Sequence, residues 1–267
     1  MNPYGINRIS PSGLMLYEKC PRAFYYSVYL GLKLPQSMRH LEFGTAVHEA
    51  IDKIYEGYKD GKWNNSGLSN ALVAFNQRFT PFCVNDEDRK KNPEVYKEML
   101  DDGIEIIKDY WKNKEVLLAK GVDPLQFEIP GKEVMLHPET KEPWPLPLSY
   151  RLDGIGKNHS VIEFKTSGAL YDNFEARARH QSLCYVLAYY QKFGVIPSLH
   201  YVVMLKGRAK NRIQHLDFKY DMADLLSYDS RVRALLDKIK NKEFSRPYKG
   251  HDKWCDCTKY EKELNVK

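Results

Sequence analysis

The chain has 267 residues, 43% of them hydrophobic and 28% charged, the balance of an ordinary soluble protein. No apolar run approaches the roughly 20 residues needed to cross a bilayer, and the N-terminus lacks a signal-peptide pattern, so we expect a cytoplasmic protein. Lysine and arginine exceed aspartate and glutamate by 41 to 35, a mild excess that permits nucleic-acid binding without identifying it. Five irregularly spaced cysteines argue against a disulfide framework.

The first 120 residues show helical periodicity throughout. Apolar residues recur at helical spacing in three long stretches, and a proline interrupts a shorter helical pattern near the N-terminus. We interpret residues 1–120 as an N-terminal helical region. The predicted helices cover residues 12–30 (broken at Pro21), 42–58, 68–79 and 93–119.

The hydrophobic period changes after Gly121, where extended segments replace helical ones. Strands and helices then alternate, which predicts an α/β fold: a mixed central β-sheet flanked by helices, with the N-terminal helical region attached. We place the core at residues 121–220, followed by a C-terminal helix and a cysteine-containing tail at 221–267. The predicted strands are 127–136, 148–155, 161–166, 200–205 and 213–218, and the predicted helices are 174–193 and 222–243.

Two neighbouring strands carry the main chemical signal. Glu163 and Lys165 alternate along one strand and so point to the same face, and Asp153 on the preceding strand can bring a second carboxylate beside them. Two carboxylates and a backbone carbonyl suit Mg²⁺ or Mn²⁺, which can activate water against a phosphodiester. Lys165 could orient that water, stabilise charge on the phosphate, or act as a base if its pKa is depressed.

Short motifs of this kind also arise by chance. Taken alone, the pattern fits a solvated strand edge with a cross-strand ion pair. Three further segments favour the functional interpretation. They are Ser10–Phe24, the spaced pair Gly44 and His48, and the spaced pair Gln181 and Tyr185.

Together with the Asp153 and Glu163-Phe164-Lys165 core, these segments resemble the PD-(D/E)xK nuclease superfamily in its RecB-like branch. That branch includes CRISPR-associated and phage single-strand exonucleases, and the resemblance spans most of the chain. It implies a restriction-endonuclease-like core with Mg²⁺ or Mn²⁺ as cofactor. The implied metal ligands are His48, Asp153, Glu163 and the Phe164 carbonyl, and the implied catalytic residues are Asp153, Glu163 and Lys165.

The resemblance implies hydrolysis of DNA, which we expect at single-stranded ends by an exonuclease of recombination, repair or replication. Arg177, Gln181 and Tyr185 are spaced four residues apart, which predicts one stripe on helix 174–193 that could position the strand. The alternatives are an inactive nucleic-acid-binding protein, or a CRISPR-adaptation-type nuclease with protein partners.

The cysteines depart from the family pattern. Many members of this branch hold an iron–sulfur cluster with one early and three late cysteines, whereas here Cys20 is followed late only by Cys255 and Cys257. We therefore expect no cluster, since it would lack a fourth thiolate. The alternatives are a degenerate remnant of that cluster site and a zinc site completed by His251. Cys184 lies about 100° from Tyr185 on a helix, which predicts that it faces the core.

Overall fold

The central feature of the fold is a five-stranded mixed sheet in the order β3-β4-β5-β6-β7. Neighbouring strands are antiparallel except for β5 and β6, which are parallel. The computed structural model describes residues 2–34, 39–59, 62–64, 66–79, 86–207, 210–248 and 255–264. The strands of the sheet are β3 (Pro124–Glu133), β4 (Leu148–Gly156), β5 (Ser160–Ser167), β6 (Ser198–Leu205) and β7 (Ile213–Phe218).

Helices precede, connect and follow these strands. Before the sheet come α1 (Pro11–Lys19), α2 (Pro21–Phe24) with a π-helical turn at Tyr25–Tyr29, α3 (Arg39–Glu56), α4 (Gly67–Phe79), α5 (Asp86–Lys91) and α6 (Pro93–Ala119). Between β5 and β6 lie α7 (Asn173–Ala178) and α8 (His180–Phe193), and after the sheet come α9 (Met222–Lys240) and α10 (Asp256–Glu263). Among the described helices, none is long and apolar enough to cross a membrane.

Each face of the sheet packs against its own set of helices. On β6, Tyr201 and Val203 pack into a core with α1, α8 and α9, while Val202 and Met204 pack into a second core with α3, α4 and α6. This alternation is what a strand buried on both faces requires. The mixed sheet covered by helices confirms the predicted fold class.

Local sequence explains where the helices beside the site begin and end. Ser10 caps α1 by accepting a hydrogen bond from the Gly13 N–H at 3.1 Å, and Pro11 occupies the first helical position. α8 ends at Gly194, whose φ of 72° is the left-handed conformation that glycine adopts at little cost.

The predicted helix over 174–193 is wrong at one point: it is two helices, α7 and α8, separated by Arg179 in extended backbone. No proline or glycine marks this break. Local side-chain contacts accompany the break. The Arg179 guanidinium lies 4.3 Å from the centre of the Tyr171 ring, and Ser182 Oγ donates to the Ala176 carbonyl at 2.6 Å. The break rotates α7 relative to α8, with consequences for the predicted substrate residues.

Two smaller elements also differ from expectation. The N-terminal region is not wholly helical, since β1 (Tyr58–Lys59) and β2 (Lys62–Trp63) pair as a short antiparallel ribbon. The cysteine-containing tail includes the helix α10, which buries Cys257 and Tyr260. Both elements are short, so packing against the rest of the chain stabilises them.

Candidate active site

The site forms where the ladder between β4 and β5 ends. The two strands pair at Gly156–Ser160, Ile155–Val161 and Gly154–Ile162, and no further pair follows. Beyond that point the Phe164 N–H donates to Asp153 Oδ2 at 2.9 Å. A side-chain carboxylate thus replaces a strand carbonyl, which brings Asp153 against the β5 backbone.

Glu163 lies at the bottom of the site and is fully buried. Its Oε1 accepts hydrogen bonds from Lys165 Nζ and from Gln181 Nε2, the latter at 2.7 Å. Its Oε2 is buried without a hydrogen-bond partner. A buried carboxylate oxygen left unsatisfied is costly, and a cation is the natural partner for it.

Burial raises the pKa of Glu163 well above its ordinary value, and the neighbouring Asp153 carboxylate raises it further. Burial lowers the pKa of the Lys165 ammonium, but Glu163 and Asp153 outweigh it, so the net shift is upward. Without a metal, Lys165 is therefore a proton donor and charge stabiliser. The depressed pKa that a lysine base would need is not present in this state.

His48 reaches the site from α3, on the opposite side of the sheet from Gln181. Its Nδ1 lies 3.8 Å from Asp153 Oδ2, and its ring packs edge-on against Phe164 at 6.1 Å between centres. Burial lowers the pKa of His48, although Asp153 opposes the shift. A neutral imidazole is the form that binds a metal ion. The structure therefore places His48 beside Asp153, and Asp153 beside Glu163 and the Phe164 backbone.

Glu128 is a site residue that sequence reasoning missed. The register of β3 on β4 pairs Phe127 with Gly154 and Ile129 with Leu152, which puts Glu128 opposite Asp153. Ligand atoms of His48, Glu128 and Asp153 all lie within 4.8 Å of one another. Glu128 has a φ of 49°, in the left-handed region that is strained for a non-glycine residue. The sequence places Glu128 on a predicted strand, but it does not give the register in which that strand pairs with β4.

Asp52 adds another carboxylate, one helical turn after His48 on α3. Burial raises its pKa to about 8, and the Glu128 and Asp153 carboxylates raise it as well. Carboxylates crowded in this way repel one another unless a cation neutralises them. Together with the unpartnered Glu163 oxygen, this crowding fits a divalent metal ion held by hard oxygens and one imidazole.

These groups open into a cleft of about 480 Å³, which we call the metal cleft. It is lined by α3 on one side and by the ends of β4 and β5 on the other. Its lining residues include His48, Glu49, Glu128, Arg151, Asp153 and Lys165. Arg151 pairs with Glu128 at 2.9 Å and holds that carboxylate at the cleft wall.

The predicted substrate residues divide into two groups. Gln181 contacts Glu163 directly, and its Nε2 also lies 2.9 Å from Tyr185 Oη. The Tyr185 ring is 4% exposed and packs 6.3 Å from the Tyr150 ring, so it positions Gln181 and offers little face for stacking a base. Both residues stay beside the reaction centre.

Arg177 does not lie on one stripe with Gln181 and Tyr185, so that prediction is wrong. The break at Arg179 takes Arg177 off the helix that carries Gln181. Its Nη2 pairs with Asp224 at 2.7 Å, and its guanidinium lies 4.9 Å from the centre of the Tyr220 ring. Arg177 therefore connects α7 to the start of α9 through the Asp224 pair. It is not among the residues that line the metal cleft.

The cysteines gather despite their irregular spacing. The sulfurs of Cys20, Cys255 and Cys257 all lie within 4.8 Å of one another, and all three residues are buried. Burial raises the pKa of Cys20, and burial with its neighbouring thiols raises that of Cys257 to about 12. Among the described residues no fourth His, Cys, Asp or Glu joins this group. His251 and Cys83, named in the sequence reasoning, lie outside the described residues.

Cys184 faces the core, as its position on the helix predicts. It is fully buried, and its Sγ lies 2.9 Å from Tyr228 Oη. Burial raises the pKa of its thiol to about 12, so it is an inert packing residue.

Comparisons with known proteins agree with this geometry. A solved structure of a candidate exonuclease from Eubacterium rectale aligns with a TM-score of 0.57 and 14% identity, over 95% of this chain and 88% of that chain. At this identity the likeness shows the fold alone. The structure of SSO0001 aligns with a TM-score of 0.31 and 13% identity, over 91% of this chain and 92% of that chain, which is too weak to carry an argument. Among curated proteins, none matches.

The sequence comparison is more specific. The pattern of the PD-(D/E)XK nuclease superfamily matches residues 8–260, which is nearly the whole chain. That span contains the three catalytic candidates that the fold brings together, Asp153, Glu163 and Lys165. The chain belongs to the PD-(D/E)XK nuclease superfamily.

Proposed function

We propose that this nuclease is a Mg²⁺- or Mn²⁺-dependent deoxyribonuclease that degrades DNA from single-stranded ends. The observation that carries the metal part of the proposal is the buried, unpartnered Glu163 Oε2 beside Asp153, whose carboxylate lines the metal cleft. Nucleases of this superfamily generally use divalent metals, and the hard-oxygen donors here match Mg²⁺ and Mn²⁺.

The metal would be held by Asp153, Glu163, His48 and the Phe164 carbonyl, with Glu128 as a further oxygen donor. When bound, such an ion lowers the pKa of a water molecule and neutralises charge on the scissile phosphate. Lys165, which pairs with Glu163, would donate to the developing negative charge on the phosphate. Gln181 holds Glu163 in place, and Tyr185 holds Gln181.

Two observations support an exonuclease. Helices flank the reaction centre on both sides, with α3 lining one cleft and α1 lining another. The Eubacterium rectale protein of similar fold is described as a candidate exonuclease. A role in recombination, repair or replication, and a cytoplasmic location, complete the proposal and rest on the sequence resemblance and composition.

An iron–sulfur cluster is not part of the proposal, because three thiols fall one short of the usual four thiolates. We expect anaerobically purified protein to be colourless and to lack the broad absorption near about 400 nm that iron–sulfur thiolates give. A brown preparation with iron bound would contradict this expectation and would require a fourth ligand from elsewhere in the chain.

The experiment that tests the function is a cleavage assay. End-labelled single-stranded and double-stranded DNA are incubated with the purified protein in Mn²⁺, in Mg²⁺ and in EDTA. Metal-dependent release of short products from the single strand supports the proposal. Tight binding with no cleavage in either metal would favour the alternative, a nucleic-acid-binding protein that does no chemistry.

A further inference from the structure

A second cleft, of about 620 Å³, lies on the other side of the reaction centre. We call it the α1 cleft, because the start of α1 forms one wall. The facing strands β3 and β4 form its floor, and the first turns of α8 form the opposite wall. Its lining residues include Arg8, Ser12, Met15, Lys132, Arg151, Arg179 and Gln181.

The α1 cleft is strongly cationic. Four of its lining residues are basic, namely Arg8, Lys132, Arg151 and Arg179, and none of its lining residues is acidic. The metal cleft differs, since its lining includes three carboxylates. Arg151 pairs with Glu128, and the other three cations leave the lining of the α1 cleft net positive, which attracts a polyanion.

Two of these cations have no carboxylate partner in the part of the chain that the structure describes. Among the described residues, no carboxylate pairs with Arg8 or Lys132, and both side chains are exposed. By contrast, Arg231 and Arg233 on α9 pair with Glu18 and Asp229. Arg8 and Lys132 therefore remain free to bind an external anion.

The α1 cleft leads directly to the reaction centre. Gln181 lines it and also donates to Glu163 at 2.7 Å. Arg151 lines both this cleft and the metal cleft, so the two meet at its side chain. A strand whose scissile phosphate lies at Glu163 would pass its adjacent phosphate into the α1 cleft.

The shape of the cleft suits one strand. Its floor holds the Tyr150 ring, which lies over Gly131 so closely that a Cβ there would come within 2.1 Å of the ring. Met15, 49% exposed, adds apolar surface on the α1 side. The volume is in the range of small-molecule sites, about 300–1,000 Å³, which accommodates a nucleotide unit.

We propose that the α1 cleft binds the phosphodiester backbone of a single DNA strand next to the scissile bond, with Arg8 and Lys132 as the phosphate contacts. This inference rests on the proposed function, because it assumes that the strand crosses Glu163. It assigns to Arg8 and Lys132 the contact with the DNA strand that the sequence predicted for Arg177.

The first test compares two double variants that each remove two positive charges. Arg8→Ala/Lys132→Ala changes the cleft, and Lys90→Ala/Lys97→Ala changes exposed lysines of α5 and α6, on the opposite side of the sheet. Binding of fluorescein-labelled oligothymidylate is followed by anisotropy in EDTA, where no cleavage interferes. We expect the cleft variant to bind at least about tenfold more weakly and to lose about 0.7 from the salt slope per phosphate contact. The control should bind like the wild type.

Equal weakening in both variants, or none in the cleft variant, would overturn the proposal. Because this readout needs no cleavage, it separates the cleft from the chemistry. If the wild-type protein is inactive and the cleft variant loses binding, the proposal for the α1 cleft stands and the nuclease proposal is refuted. Unchanged binding and cleavage in the cleft variant of an active protein refutes the cleft alone.

The second test removes the charge from the DNA instead. A single neutral methylphosphonate replaces the linkage next to the scissile one, first on one side and then on the other. On one side it should lower kcat/KM of the wild type about tenfold, and it should cause no further loss in the cleft variant. If the methylphosphonate lowers kcat/KM of the cleft variant by the same factor as that of the wild type, at either position, then Arg8 and Lys132 do not contact that phosphate.

Discussion

The Glu163 carboxylate links the strand β5 to the helix α8, because Lys165 and Gln181 both donate to its Oε1. Strand alternation predicts from sequence that it shares a face with Lys165, and the structure has them paired. Its complete burial, its unpartnered Oε2 and its link to Gln181 depend on contacts across the sheet and α8. No periodicity within β5 could supply these.

Glu128 leads to a prediction about metal affinity. Since its carboxylate lies with His48 and Asp153 around one point, Glu128→Gln should weaken the metal site without removing the catalytic groups. We expect the Mn²⁺ concentration for half-maximal cleavage to rise about tenfold or more, with the rate largely recovered at saturating Mn²⁺. Titration calorimetry with Mn²⁺ checks the same shift without DNA.

The matched control is Glu139→Gln, which changes an exposed carboxylate in the turn between β3 and β4. It should leave the Mn²⁺ dependence unaltered. An unchanged Mn²⁺ titration in Glu128→Gln would remove Glu128 from the ligand set and leave the four residues that the resemblance implies.

At the scale of elements, α7 and α8 mark the limit of prediction from sequence. The apolar pattern over 174–193 is continuous, so periodicity alone favours one helix. The break at Arg179 is accompanied by a contact with Tyr171, which precedes the helices, and by the pair between Arg177 and Asp224, which lies far along the chain. Elements whose ends carry local signals, such as β7 and the Gly194 end of α8, were predicted closely.

The first residue of α8 gives a pH prediction. His180 is buried between Glu18 and Tyr228, and burial, with the nearby Arg231 charge, lowers its pKa to about 4. It is neutral in the folded chain but takes up a proton near its ordinary pKa of about 6.5 when unfolded. Between these values the unfolded state binds more protons, so stability should fall as pH drops from about 6.5 to 4.

The slope from this one group is at most about 1.4 kcal/mol per pH unit. Denaturant unfolding at several pH values measures it, and His180→Gln should flatten the acid side of the curve. Identical acid slopes for the variant and the wild type would show that other groups account for the acid sensitivity.

At the scale of the whole molecule, the fold class followed from the order of helices and strands, while the position of the clefts did not. α1 and α3 are about twenty residues apart in sequence, yet they line different clefts on either side of the β4–β5 gap. Cys20 also converges at one point with Cys255 and Cys257, which lie far from it in the chain. Such relations depend on long-range packing, which local patterns do not encode.

The proposed exonuclease activity predicts how the enzyme treats DNA without ends. An exonuclease releases products from a strand terminus and therefore needs a free end. Covalently closed single-stranded circles should therefore persist while the linear form of the same sequence is degraded. Gel analysis of both substrates in one reaction measures this, and rapid nicking of the circle would indicate an endonuclease.

The most direct measurement compares metal-dependent cleavage of end-labelled single-stranded DNA by the wild type, Asp153→Ala and Glu163→Ala. We expect the wild type to degrade the strand in Mn²⁺ and Mg²⁺ and to be inactive in EDTA. Each variant should lose activity by roughly a thousandfold or more while its circular dichroism spectrum stays unchanged. Cleavage in EDTA, or full activity in either folded variant, would contradict a metal-dependent reaction at Asp153 and Glu163.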